Sequence, residues 1–147
     1  MKKKLIAVFL VVATLLSCVF AFAACKSNDK EFKEIVSCAK DLEYKLKHQD
    51  RCQGFSITDN CGYKVVTGNN SKSGTYIIIP YTAKDLLADI TIVDIAFFCN
   101  GELLGFKGDY PYSYNFSKKD RYLEALKIYV NQDFDKQYSA NDLNKKI

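Results

Sequence analysis

The sequence predicts an α+β fold, with an N-terminal helix packed on an antiparallel sheet of about five strands and one or two C-terminal helices. Three observations support this prediction. Apolar residues recur every three or four positions early in the domain, β-branched and aromatic residues dominate its middle, and a helical period returns near its end. Helices and strands are therefore segregated along the chain, as is typical of the α+β class.

The first helix is predicted from residue 31 to about residue 49. Its apolar positions lie on one helix face because they are spaced by three and four residues: Phe32, Ile35, Ala39, Leu42 and Leu46. His48, the only histidine of the chain, lies near the end of this helix. We interpret it as a solvated residue rather than a general base, since no nucleophile accompanies it.

After this helix the period of the pattern changes to two, which predicts strands over residues 55–58, 63–67, 75–81, 90–99 and 102–106. Ile77, Ile78 and Ile79 in succession indicate that the third strand is covered on both faces. Asn100-Gly101 predicts a tight hairpin, because both central positions of a type I′ turn need a positive φ. Residues 68–74 are predicted as a loop, and residues 82–85 are predicted to cap one helical turn.

Asp94 is the only charged residue within the long strand 90–99. We interpret it as a residue on the solvent face or at a bulge, and a functional carboxylate facing a cleft is the alternative. Ser117 to Asp120 resembles a capping box and predicts the start of a second helix. A polar connection over residues 131–138 and a final short helix over residues 139–147 complete the predicted domain, which covers residues 31–147.

Four aromatic residues before the second helix occupy alternate positions: Tyr110, Tyr112, Tyr114 and Phe116. On a strand they would form one row, because alternate side chains point to the same face. The row has two interpretations. It is either an edge strand that packs on a helix, which Pro111 permits, or a platform that binds a saccharide or an extended peptide. These four residues are therefore the candidate binding site.

The first 24 residues are predicted to be a signal peptide. Three lysines at positions 2–4 precede an uncharged apolar run over residues 5–24. The segment Phe22-Ala23-Ala24-Cys25 resembles the end of a bacterial lipoprotein signal, with Phe22 where that motif usually has Leu. The resemblance implies that the Cys25 thiol receives a diacylglycerol, that Cys25 becomes the first residue, and that residues 25–30 form a polar tether.

Three alternatives for the leader stay open. Cys18 follows Leu15-Leu16-Ser17 in a competing lipid-attachment motif, Ala21-Phe22-Ala23 matches an ordinary cleavage site that would release the protein, and an uncut run of about 20 apolar residues can span a bilayer. Every alternative places residues 26 onward outside the cytoplasm. We therefore expect an extracytoplasmic protein that is attached to the membrane through its N-terminal lipid, with secretion as the alternative.

The segment from Leu46 to Ile57 resembles a part of small uncharacterised bacterial exported proteins in which Leu-Lys-Asn-Pro-Asp-Ser-Phe leads from a helix into a strand. Leu46, Lys47 and Asp50 match this pattern, and Gln49 stands where the pattern has Pro. The resemblance implies an α+β fold and no particular activity.

Four cysteines follow Cys25: Cys38, Cys52, Cys61 and Cys99. In an exported protein they permit two disulfides in three pairings. Cys52 and Cys61 close a short loop and are the candidate pair, and the alternative is that the thiols are small buried side chains.

Charge and motifs exclude several classes of function. The leader holds three of the 21 Lys and Arg residues and none of the 17 acids, so 18 basic residues face 17 acidic residues after cleavage, a net charge of +1. This balance gives no concentrated basic face for nucleic acid. Hydrolase, phosphate-loop and zinc-enzyme motifs do not occur, and we expect no cofactor or metal.

The sequence thus predicts a non-enzymatic, lipid-anchored envelope protein that binds a protein or saccharide ligand. Two alternatives are a secreted hydrolase that uses a pair of carboxylates and a structural or immunity-type surface protein.

Overall fold

The computed structural model describes residues 30–48, 52–58, 65–70, 74–108 and 116–147. The chain divides into two compact units, Met1–Glu34 and Ile35–Ile147. Of the first unit, residues 30–34 are described, and they are helical. The second unit contains the sheet.

The described elements confirm the α+β class. Helix α1 occupies residues 30–48. The strands that follow are β1 (Cys52–Ile57), β2 (Val65–Asn70), β3 (Gly74–Asp85), β4 (Ile90–Cys99), β5 (Glu102–Phe106) and β6 (Lys136–Tyr138). A 3-10 turn over Phe116–Lys118 leads into helix α2 (Lys119–Asn131), and helix α3 covers Ala140–Asn144.

All six strands belong to one antiparallel sheet, in which β5, β4, β3, β2 and β6 are neighbours in that order. β1 also pairs with β3. It takes the C-terminal half of β3, from Tyr81 to Asp85, whereas β2 takes the N-terminal half, from Gly74 to Ile78. The two short strands therefore share one edge of β3, and β4 occupies the other.

The centre of β3 is buried on both faces, as the sequence predicts. Ile77, Ile78 and Ile79 are each 0% exposed, although alternate residues point to opposite faces. On the face that packs against α2, the core consists of Tyr76, Ile78, Ile95, Phe97, Cys99, Leu104, Tyr122, Ala125 and Tyr129. The sheet and α2 thus enclose one apolar core between them.

Aromatic contacts and one polar contact join α2 to the sheet. The Phe97 ring meets the Tyr122 and Tyr129 rings edge-on, with centroids 5.6 and 6.0 Å apart. The Tyr76 hydroxyl donates to Glu124 Oε2 over 2.5 Å. Edge-on aromatic pairs add to the stabilisation that burial alone provides.

Helix α1 buries the centre of the predicted face, since Ile35, Ala39 and Leu42 are 0% exposed and the neighbouring Cys38 is 2% exposed, whereas Phe32 and Leu46 are half-buried. His48 is exposed, as predicted, and lies against the Tyr44 ring with centroids 3.7 Å apart.

The Asn100-Gly101 hairpin is confirmed, with φ values of 51° and 79°. The helical turn predicted after residue 82 is wrong, because β3 continues to Asp85, which pairs with Ile90 of β4. The loop predicted over residues 68–74 is wrong where β2 continues to Asn70 and β3 begins at Gly74. β6 lies within the segment predicted as a polar connection.

The C-terminal segment closes the outer edges of the two short strands. β6 pairs with β2. The Asn144 side chain reaches β1, where its Oδ1 accepts from Ile57 N and its Nδ2 donates to Ile57 O, both over 3.0 Å. The amide of Asn144 therefore satisfies the same two groups that a neighbouring strand would satisfy.

One ion pair near α2 gives a pH prediction. Lys118 Nζ lies 2.6 Å from Glu102 Oε1, and the hydrogen bond from Lys118 lowers the pKa of Glu102 below its ordinary value of 4.5. A lowered pKa adds stability that is present above 4.5 and is lost as the pH falls through the lowered value. We expect urea unfolding to show wild type as more stable than Glu102→Gln above pH 4.5 and equal to it in stronger acid. Lys118→Met should show the same profile, and a difference that persists in strong acid would contradict the assignment.

Candidate functional site at the tip of the β3–β4 hairpin

Most of the candidate site residues lie outside the described residues. These are Cys25, Cys61, Tyr110, Tyr112 and Tyr114. Phe116 begins the 3-10 turn before α2, and its backbone is described. The lipidation of Cys25 and the aromatic row therefore stay predictions.

Cys52 is buried at the start of β1, where its thiol donates to Gly54 O over 3.0 Å. It carries a free thiol in this structure. Burial raises the pKa of this thiol above its ordinary value of 9.0, which makes it a poor nucleophile at neutral pH. Because Cys61 is not described, the Cys52–Cys61 disulfide stays a prediction. Cys38 and Cys99 are buried, as small apolar side chains are.

Asp94 is 5% exposed, so its interpretation as a solvent-facing residue is wrong. Its Oδ1 accepts from Ile95 N over 2.7 Å and from Gly108 N over 2.8 Å. A Cβ atom on Gly108 would lie 2.9 Å from both carboxylate oxygens, closer than real Cβ contacts allow. Asp94 thus fixes the chain that leaves β5 against β4, which is a structural role.

A second buried carboxylate, Asp85, is 3% exposed at the end of β3. It lies on the same sheet face as Asp94, because Asp94 pairs with Tyr81, four residues earlier on β3. Four strand residues span about 13 Å. Paired-carboxylate hydrolases hold their acids roughly 5–9.5 Å apart, so this geometry does not provide such a pair.

The described ranges hold no group of three or more histidine, cysteine, aspartate or glutamate residues that could bind a metal ion.

Exposed apolar residues concentrate where β3 turns into β4. Leu86 is 50% exposed, Leu87 76% and Ile90 52%, and Ala88 between them is also exposed. We call these four residues the apolar tip. Exposed apolar side chains that lie together on a folded domain mark contact surfaces more often than isolated ones do.

Hydrogen bonds to a buried side chain fix the turn that carries the apolar tip. The buried Asp85 Oδ1 accepts from Leu87 N over 2.8 Å and from Ala88 N over 3.2 Å. Asp89 takes a left-handed φ of 51°, which closes the four-residue turn. The exposure of Leu86 and Leu87 therefore belongs to an ordered turn.

The charges at the tip compensate one another. Lys84 Nζ lies 2.9 Å from Asp89 Oδ1 across the base of the turn, with both side chains exposed. The Asp85 carboxylate accepts from the turn amides. The tip thus presents leucine and isoleucine side chains beside a paired lysine and aspartate.

This site could not be predicted from the sequence, because residues 82–85 have the pattern of a helix cap rather than of a strand end. The four-residue connection becomes visible only when β3 extends to Asp85, because the predicted strands end at residue 81 and resume at residue 90.

Comparison with known proteins gives no relative, since no protein-family model, no curated protein and no solved structure matches the chain. Within the described ranges, no helix combines the length and the apolar character needed to cross a membrane.

Proposed function

We propose that the chain is a lipid-anchored protein of the cell envelope that acts as a non-enzymatic interaction module, with the apolar tip as its contact surface. The observation that carries this proposal is the exposure of Leu86, Leu87 and Ile90 on a turn fixed by a buried carboxylate. The leader supports the location, because Lys2 to Lys4, the apolar run and Cys25 have the order of a lipoprotein signal.

The roles of the buried acids favour a binding module over a hydrolase. Asp85 accepts from two turn amides, and Asp94 accepts from Ile95 N and Gly108 N. In each carboxylate, the Oδ1 atom accepts two backbone hydrogen bonds. A general acid or base must instead reach a substrate proton from an open site.

The intact mass of the full-length protein from a bacterial membrane fraction tests the anchor. We expect a chain that begins at Cys25 and carries a diacylglycerol. Cys25→Ser should abolish the lipid mass, whereas Cys18→Ser, the matched control, should be lipidated like the wild type. Loss of the lipid in Cys18→Ser alone would move the anchor to Cys18, and an unmodified chain that begins near Ala24 would contradict the anchor.

A further inference from the structure

We infer that the apolar tip of the β3–β4 hairpin inserts into the surface of the lipid bilayer, as a second membrane contact of the anchored chain. This inference rests on the proposed function, which places the domain at a membrane. It commits the tip to lipid rather than to a protein groove or a second copy of the chain.

The size of the tip argues for lipid. Leu86, Leu87 and Ile90 are half-exposed or more, and together with Ala88 they offer roughly a few hundred Å², whereas a stable protein interface needs about 800 Å² from each partner. Insertion into a bilayer needs no minimum contact area, because each apolar side chain that leaves water adds its own contribution to the binding free energy. A small apolar tip is therefore better suited to a bilayer surface than to a stable protein interface.

The shape of the turn supports the same occupant. Leu86 and Leu87 lie at the end of the β3–β4 hairpin, where the chain reverses within four residues beyond the last pairs that β3 makes with β1 and β4. The bonds from Leu87 N and Ala88 N to Asp85 satisfy backbone donors that would otherwise need water. Satisfied backbone groups are a requirement for entering an apolar layer.

The charges at the tip permit insertion without a preference for anionic lipid. Lys84 and Asp89 neutralise each other at the base of the turn. The long apolar stem of Lys84 allows this pair to stay near the headgroup layer while the leucines pass below it. Binding should accordingly depend little on salt, unlike binding through a basic patch.

Because the lipid anchor already holds the chain at the membrane, the tip can remain inserted even if its own affinity for the bilayer is weak. A short tether raises the effective concentration of a second contact to the order of millimolar. A tip with three large apolar side chains then needs only a modest intrinsic affinity to remain in the bilayer. It would restrict the orientation of a domain that the lipid alone leaves mobile.

The absence of tryptophan from the chain allows a direct test. Leu87→Trp places a single reporter at the tip, where Leu87 is 76% exposed, and Val130→Trp places one on α2, where Val130 is 64% exposed, as the matched control. The full-length lipidated variants are reconstituted into vesicles of phosphatidylethanolamine and phosphatidylglycerol, with and without bromine on the acyl chains. We expect bromine to quench Leu87→Trp several-fold more than Val130→Trp, at low and at high salt.

Each of the other outcomes either overturns the insertion of the tip or supports it without the anchor. No quenching at Leu87→Trp, on a sample whose mass shows the lipid, overturns the insertion and leaves the anchor intact. Equal quenching of both reporters means that the domain lies on the bilayer through another surface, and a blue shift without quenching means that protein covers the tip; both results overturn it. If the mass shows no lipid, the anchor fails, yet selective quenching of Leu87→Trp with added vesicles still supports insertion.

Discussion

Replacing Phe97 with alanine should lower the free energy of unfolding by about 3–5 kcal/mol. Phe97 is 0% exposed and lies between the sheet and α2. Truncation removes its edge-on contacts with Tyr122 and Tyr129 and leaves a cavity that a sheet with two covered faces cannot readily close. A domain of this size has about 5–15 kcal/mol in total, so the variant should be close to unfolding at 37 °C.

Urea unfolding followed by circular dichroism measures this effect. Leu123→Ala is the matched control, because Leu123 is an apolar residue of α2 whose side chain is 47% exposed. We expect the control to change stability by no more than about 0.5 kcal/mol. A loss below about 1 kcal/mol in Phe97→Ala would show that α2 does not pack on β4 as described.

The second large effect concerns the turn beneath the apolar tip. Asp85→Ala should cost about 1.5–3 kcal/mol, since it removes a charged acceptor from Leu87 N and Ala88 N at a residue that is 3% exposed. It should also release the turn. In the Leu87→Trp background, we therefore expect Asp85→Ala to reduce quenching by brominated lipid.

Asp89→Asn provides the control for this prediction, because it changes an acid in the same turn. The Asp89 side chain is 83% exposed and its ion pair with Lys84 is on the surface, so its loss should cost under about 1 kcal/mol. Asparagine also tolerates the left-handed φ of this position. Equal losses in the two variants would contradict the role assigned to Asp85.

The fold class could be predicted from the sequence because its signals are local. The spacing of Ile35, Ala39 and Leu42 defines the buried face of α1, and Asn100-Gly101 defines a hairpin through backbone conformation alone. β6 could not be predicted in this way. Lys136–Tyr138 has no apolar alternation, and it is a strand because β2 supplies its hydrogen-bond partners.

The candidate site was harder to predict because its determinants are not local. Residues 82–85 have the pattern of a helix cap, yet pairing with β4 over ten residue pairs extends β3 through them. Burial of Asp85 and Asp94 depends on which backbone amides the fold brings near them. Sequence periodicity contains no information on such pairs.

The C-terminal residues of the chain complete the edges of the sheet, and this affects when the sheet can form during folding. β2 acquires its outer neighbour about 70 residues later in the chain, and Ile57 acquires the Asn144 amide from the final turns. Contacts of such long sequence separation form slowly. The chain therefore cannot complete its native sheet until translation has delivered β6 and α3, and until then the outer edges of β1 and β2 lack these partners.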